Sequence, residues 1–216
     1  MTTHEPERTP LYSPMIEAAV RLAAQGHYHQ FRKRDRTADA PTSMGVPLPD
    51  DHIPYITHLM GTVTILARFG APDEVLAAAA LHDYLEDVPD PDGRERIREI
   101  TNDEVLELVL AVTEDKRPGR HRGDTWELRK QEQIAEIESM PLSAVLIKSA
   151  DVLHNLLSLE FDLGEASDPS LVWGRFNAPK VKQLWYFSSV LDAIRLRLGD
   201  HELTLELAEV ISLLRD

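Results

Sequence analysis

The chain reads as an all-α protein built as a single helical bundle, and three observations carry that reading. Apolar residues recur at spacings of three and four through most segments, which is the helical period. No segment alternates convincingly with a period of two. Only 6% of the 216 residues are aromatic, while the hydrophobic fraction of 43% is enough for a sizeable core in one domain.

The elements follow in order. Residues 1–12 are polar and proline-bearing and form a flexible tail, leaving 13–216 as the domain. Pro14 to about Gln30 forms a first helix, with Ile16, Ala19, Val20, Ala23 and Ala24 on one face. Pro54–Phe69 forms a second, stopped by Gly70. Pro72 to about Glu86 forms a third, Ala-rich, with proline in the first turn where a missing N–H costs nothing. A fourth runs from Thr101 to about Thr113, opened by Thr101 and Glu104 in a capping-box pattern. Thr125–Ser139, Leu142–Leu159, Ala178–Leu198 and His201–Leu214 complete the set. Three long loops remain, 34–53, 116–124 and 161–177, and connections of this length are often functional or disordered.

Charge and composition exclude several classes of function. With 23 Lys+Arg against 37 Asp+Glu, the net charge is −14. Nucleic-acid binding rests on surplus cations, so no nucleic-acid partner is expected, nor an anionic membrane surface. A small polyanionic substrate is still allowed, because it feels the local field of its pocket. The absence of cysteine removes disulfides, thiolate metal sites and cysteine nucleophiles, and fits a reducing compartment. The longest apolar run, Val75–Leu81, is seven residues against the roughly 20 that span a bilayer. The first ten residues have no signal-like apolar core, so a cytoplasmic protein is expected.

The chemistry lies where acids and imidazoles interrupt apolar helices. His82-Asp83 closes the Ala-rich helix, and Glu86-Asp87 follows one turn later, with His82 and Glu86 on one face. His58 sits in the first turn of a Leu/Met/Val-rich helix. Asp151 interrupts the apolar run Ala144–Leu156, and Asn155 repeats the interruption four residues on. Buried acids are costly unless they are paired or bind a metal. His58, His82, Asp83 and Asp151 make an N/O donor set without sulfur, which suits one divalent first-row ion better than calcium. Such an ion acidifies water near neutral pH, and Glu86 and Asp87 are the adjacent carboxylates for proton transfer. Cations cluster close by: Arg32, Lys33, Arg34 and Arg36; Lys116, Arg117, Arg120 and Arg122; and Arg129-Lys130, ten of the 23 in three runs. Together they suit a phosphate pocket.

The ordered set His58, His82-Asp83, Asp151 resembles the signature of the HD-domain phosphohydrolases. The longer strings are similar to the hydrolase domain of RelA/SpoT-like enzymes, in particular the small alarmone hydrolases that include metazoan SpoT homologues. These strings are Gln30-Phe31-Arg32-Lys33, Pro54–His58, Ala78–Asp83 with Glu86-Asp87, Val112–Lys116, Trp126 with Arg129-Lys130, Lys148–Asp151 with His154-Asn155-Leu156, and Trp185-Tyr186-Phe187. They cover about residues 14–197. The resemblance implies an HD-domain helical bundle with a mononuclear site, typically Mn2+, held by His58, His82, Asp83 and Asp151. It implies removal of the 3′-pyrophosphate from guanosine 3′,5′-bis-polyphosphates, leaving GDP or GTP. Glu86 and Asp87 then handle the protons, Arg32, Lys33 and Lys116 bind phosphate or base, and Asn155 and Tyr186 contact ribose or phosphates. The chain departs from the family at Ser149 and Val88 and in the longer stretch between Lys33 and Pro54.

Related readings share the fold: an adenosine alarmone or the 2′-phosphate of NADPH as substrate, and a nucleotide sensor without turnover. His154 is expected behind the ligands or in the core. Trp126, Trp173 and Trp185 are expected in the core or the pocket wall, and the other histidines are structural or superficial. The sequence does not give the oligomeric state.

Overall fold

In a computed structural model of the chain, residues 12–32, 53–115 and 125–215 are described. The 1–11 tail, most of the 34–53 loop, the 116–124 loop and, with them, Lys33 and Lys116 lie outside these residues. Among the described residues the architecture is all-α, and the one β feature is an isolated antiparallel bridge, Phe31 to Pro54.

Helix α1 (Pro14–Gly26) starts where the Ser13 side chain accepts the Met15 N–H at 3.3 Å, with Pro14 in the first turn. Its buried face is Ile16, Ala19, Leu22 and Ala23; Ala24 points outward, so the face lies one step from the expected one. The helix ends at Gly26, short of Gln30. The chain then turns through His27 to the bridge, where Arg32 N–H donates to Ile53 O and Tyr55 N–H to Gln30 O, both at 2.9 Å. This bridge pins both ends of the long 33–52 stretch, so Arg32 reaches the site whatever lies between.

Helix α2 (Ile56–Arg68) is closed by Gly70 at φ 68°, a conformation glycine adopts without steric cost. Helix α3 (Asp73–Leu81) is buried from Ala77 through Leu81, and its small alanines let α1 and α2 pack close on either side. The single helix expected over 72–86 is in fact two: α3 stops at Leu81 and α4 (Tyr84–Asp87) restarts after a break at His82-Asp83. The His82 ring takes the Ala79 carbonyl at 2.8 Å, a helix-end acceptor satisfied by a side chain.

Helix α5 (Gly93–Ile100) has no counterpart among the expected helices, because GRERIREI offers only Ile97 and Ile100 as apolar signal; Ile97 alone is fully buried. Helix α6 (Asp103–Val112) is capped by Asn102, whose Oδ1 accepts the Val105 N–H at 2.9 Å, and not by Thr101. The Thr101 hydroxyl instead donates to Ile97 O, closing α5. Helix α7 (Trp126–Glu136) precedes the long α8 (Leu142–Glu165), which runs past Leu159 into the expected 161–177 loop. Half of the remainder of that loop is α9 (Pro169–Gly174), capped by Asp168 Oδ1 on Ser170 N–H. Helices α10 (Lys180–Leu198) and α11 (Glu202–Arg215) end the chain.

Helix α8 is the axis of the bundle, packed against α2, α3, α6, α10 and α11. By length and composition it is apolar enough to cross a membrane, but its apolar surface is largely taken by these neighbours. Where α2 crosses α8, Gly61 admits the His154 ring: a methyl group there would lie 1.9 Å from His154 Cδ2. Around Gly164, near the end of α8, there is open space.

Replacing Gly61 by Ala should therefore overpack the α2–α8 contact and cost about 1–3 kcal/mol. Gly164→Ala should add about 0.5–1 kcal/mol through helix propensity. Urea denaturation checks both, and equal effects would contradict this packing.

Candidate metal centre

Three helices bring the predicted donors together. His58 lies in the first turn of α2, His82 and Asp83 lie in the α3–α4 break, and Asp151 lies mid-way along α8. One donor atom each from His58, His82 and Asp151 lies within 4.8 Å of the others. His58 Nε2 is 3.1 Å from Asp151 Oδ1 and 3.7 Å from Asp83 Oδ2. His82 Nε2 is 3.2 Å from Asp83 Oδ2 and 3.7 Å from Asp151 Oδ1. The Asp83 carboxylate thus closes the cluster at its fourth corner.

The surroundings aim these atoms inward. His82 Nδ1–H donates to Ala79 O, so Nε2 faces the cluster. That nitrogen is buried and makes no well-aligned hydrogen bond, its nearest groups being the Asp83 and Asp151 carboxylates, and buried polar atoms are rarely left so. His58 Nδ1 is 3.0 Å from His154 Nδ1, which fixes the ring with Nε2 toward the acids. Tyr55 OH donates to Asp83 Oδ2 at 2.6 Å. Asp151 Oδ2 accepts from Lys148 Nζ at 3.1 Å, and Oδ1 accepts from Asn155 Nδ2 at 2.7 Å. Asn155 in turn accepts from Arg32 at 2.8 Å through its Oδ1. A buried imidazole nitrogen facing two carboxylates, with His58, His82 and Asp151 held from behind by His154, Ala79 O and Lys148, is a donor set that fits a divalent ion.

The charges follow from burial and proximity. Burial holds His58 below the ordinary histidine value despite Asp151. Burial opposes charge on His82 as well, but Asp83 and Asp151 together hold it well above that value. Burial would raise both acids. At Asp83 the His82 ring, with His58, outweighs it, and at Asp151 Lys148 together with His58 and His82 does, so both carboxyls lie below the usual range. His154, desolvated and beside His58, is pushed down to about 4 and stays neutral.

The cluster opens into a cleft of about 1150 Å3 that holds Arg32, Glu86, Asp87, Asn155 and Tyr186. Glu86 Oε1 accepts the Glu114 main-chain N–H at 2.6 Å, and the Asp87 carbonyl accepts Gln30 Nε2 at 2.7 Å. Tyr186 is buried and donates its hydroxyl to Gln133. Arg129 and Lys130, read in sequence as pocket cations, line the cleft and are paired there with the Glu114 carboxylate. Trp126 and Tyr186 form part of the wall, and Trp173, expected in a loop, is in α9.

Sequence reasoning gives no individual role to Tyr55, Lys148 or Arg175, all of which line the cleft. Tyr55 and Lys148 sit inside quoted motifs three residues from a ligand, a helical spacing that signals a shared face. Arg175 comes from a segment that reads as loop and offers no such signal.

A sequence model described as an HD domain matches residues 43–169, more than half of the chain. The chain belongs to the HD-domain family. Among curated relatives of this HD-domain chain, the guanosine-3′,5′-bis(diphosphate) 3′-pyrophosphohydrolase of Haemophilus influenzae is 34% identical over 49% of the chain, and the Streptomyces coelicolor GTP pyrophosphokinase is 35% identical over 68%. The chain spans 15% of the length of each. A solved structure described as a metazoan ortholog of SpoT that hydrolyzes ppGpp superposes with a TM-score of 0.70 at 25% identity, covering 95% of this chain and 98% of that one. A Listeria monocytogenes EGD-e protein superposes with a TM-score of 0.62 at 30% identity, over 76% of this chain and 98% of that one.

In the metal-free protein the proton on His82 belongs to the cluster. Its stabilising effect is complete below the ordinary histidine value, about pH 6.5, and is lost as pH rises through the raised value. An incoming cation must displace that proton. Metal affinity should therefore rise about tenfold per pH unit through neutrality, with one proton released per ion. Titration calorimetry in buffers of different ionisation enthalpy measures this, and a pH-independent affinity would contradict it.

Proposed function

We propose that this chain is a divalent-metal hydrolase that removes the 3′-pyrophosphate from guanosine 3′,5′-bis-polyphosphates, releasing pyrophosphate and GDP or GTP. The observation that carries the reading is the buried His82 Nε2 within the His58, Asp83 and Asp151 cluster, at the floor of a cleft that also holds Glu86 and Asp87. The names of the Haemophilus influenzae relative and of the metazoan structure support the same chemistry.

His58, His82, Asp83 and Asp151 hold one ion, proposed to be Mn2+, as an N/O donor set suits. When bound, the ion supplies water of lowered pKa and positive charge for the phosphate oxygens. The chain supplies the rest. Glu86 takes a proton from the attacking water as its oxygen bonds to the phosphorus on the ribose side of the pyrophosphate. That P–O3′ bond breaks, and Asp87 returns a proton to O3′, so water is consumed and a ribose hydroxyl and free pyrophosphate result. Arg32, with Asn155 beside it, offsets phosphate charge at the cleft wall. Lys148 keeps Asp151 ionised and oriented. Lys33 and Lys116 are proposed as further phosphate contacts. The substrate is a small nucleotide and the chain acts in the cytoplasm.

Product analysis by anion-exchange chromatography and 31P NMR tests this reading. With Mn2+, guanosine 3′,5′-bis(diphosphate) should yield GDP and pyrophosphate, and Glu86→Gln should lower kcat by about 10^2–10^4-fold. Exclusive release of orthophosphate from NADPH, or tight alarmone binding without turnover, would overturn it.

A further inference from the structure

Residues 113–115 leave α6 in extended conformation and pass beside the α4 helix that carries Glu86. Thr113 closes α6 with its hydroxyl on Val109 O at 2.7 Å and turns the chain out at φ −72°, ψ 124°. The next residue, Glu114, presents its main-chain N–H to Glu86 Oε1 at 2.6 Å. A backbone donor is as well placed as the peptide that carries it, so the question is what holds this peptide.

Its own side chain does. The Glu114 carboxylate is 7% exposed and receives three donors from one face of α7: the Arg129 guanidinium, Lys130 Nζ at 3.0 Å, and the Gln133 amide. Gln133 is tied further, its Oε1 accepting from Lys130 Nζ at 2.8 Å and from Tyr186 OH at 2.9 Å. Lys130 also lies over the Tyr186 ring, 4.8 Å from its centre. A continuous set of hydrogen bonds thus runs from Tyr186 on α10 through Gln133 and Glu114 to Glu86.

Burial of an acid with two cations is a poor way to stabilise a bundle. The desolvation penalty offsets most of the attraction, and apolar residues of similar volume commonly serve stability as well or better. What the arrangement does achieve is fixed geometry at one main-chain N–H. A general base must keep its reactive oxygen within hydrogen-bond reach of the proton it takes. A displacement of about 1 Å at such a group can cost about 100-fold in rate.

We infer that Glu114 is a positioning residue: clamped by Arg129, Lys130 and Gln133, it fixes through its main-chain N–H the Glu86 carboxylate that takes the water proton. The inference rests on the proposed hydrolytic role of Glu86. It also assigns Arg129 and Lys130 to the clamp rather than to direct phosphate binding.

A double-mutant cycle tests this. Steady-state kcat and KM are measured with Mn2+ and guanosine 3′,5′-bis(diphosphate) for the wild type, Glu114→Gln, Glu86→Gln and the double variant. Glu114→Gln should lower kcat about 10- to 100-fold and change KM less than about threefold, because the loss falls on the chemical step. In the Glu86→Gln background the same change should alter kcat by less than about twofold, since residues acting through one group are not additive. Multiplying losses, or a loss confined to KM, would overturn the inference. Should Glu114→Gln fail to fold, Gln133→Met loosens the clamp without leaving an unpaired charge, and the same kcat pattern is expected. A wild type with no turnover removes the functional reading and the inference together. Turnover with an additive cycle removes the inference alone.

Discussion

Two carboxylates and two imidazoles meet in a nearly dry junction of three helices, and the rest of the molecule is arranged around the cost of that meeting. Like charges on Asp83 and Asp151 repel, and burial penalises each. A protonated His82 or a bound cation relieves both at once, while Lys148 satisfies the outward-facing oxygen of Asp151, and Tyr55 and Asn155 donate to the cluster-facing oxygens of Asp83 and Asp151. Without a bound cation the two acids favour a proton on His82, and a cation at this site would take the place of that proton. Affinity and stability are thereby linked through one nitrogen, His82 Nε2.

The helix architecture serves this junction. The α3–α4 break sets Asp83 and Glu86 at the cleft while the His82 ring, bonded to Ala79 O, faces the cluster. Gly61 lets His154 stand directly behind His58, so a missing side chain on α2 makes room for an orienting one on α8. The Phe31–Pro54 bridge keeps Arg32 at the cleft although a long stretch of chain separates the bridge partners in sequence.

Much of this arrangement is legible in the order of residues alone. The four cluster residues stand out because acids and imidazoles break apolar helical runs, and burial makes such breaks expensive. Glycines and prolines mark the ends of α2 and the starts of α1 and α3 because their backbone preferences are local. The features that escape a linear reading are of two physical kinds. Helices α5 and α9 carry too few apolar residues for a periodic signal, and their burial depends on partners distant in sequence. The Thr101 capping pattern misleads because Asn102, one residue on, is an equally good cap, and only the end of α5 decides between them. The clamp on Glu114 is hidden for a related reason: Arg129 and Lys130 look like free cations until Glu114, just beyond α6, is seen against α7.

The central claim is that the His58, His82, Asp83 and Asp151 cluster is a cation site, and anomalous diffraction from crystals grown with Mn2+ tests it most directly. The account predicts one strong peak per chain at bonding distance, about 2.0–2.3 Å, from His58 Nε2, His82 Nε2 and an Asp151 oxygen, with Asp83 completing the set. A cluster without a peak, or with Mn2+ bound only at surface carboxylates, would contradict it.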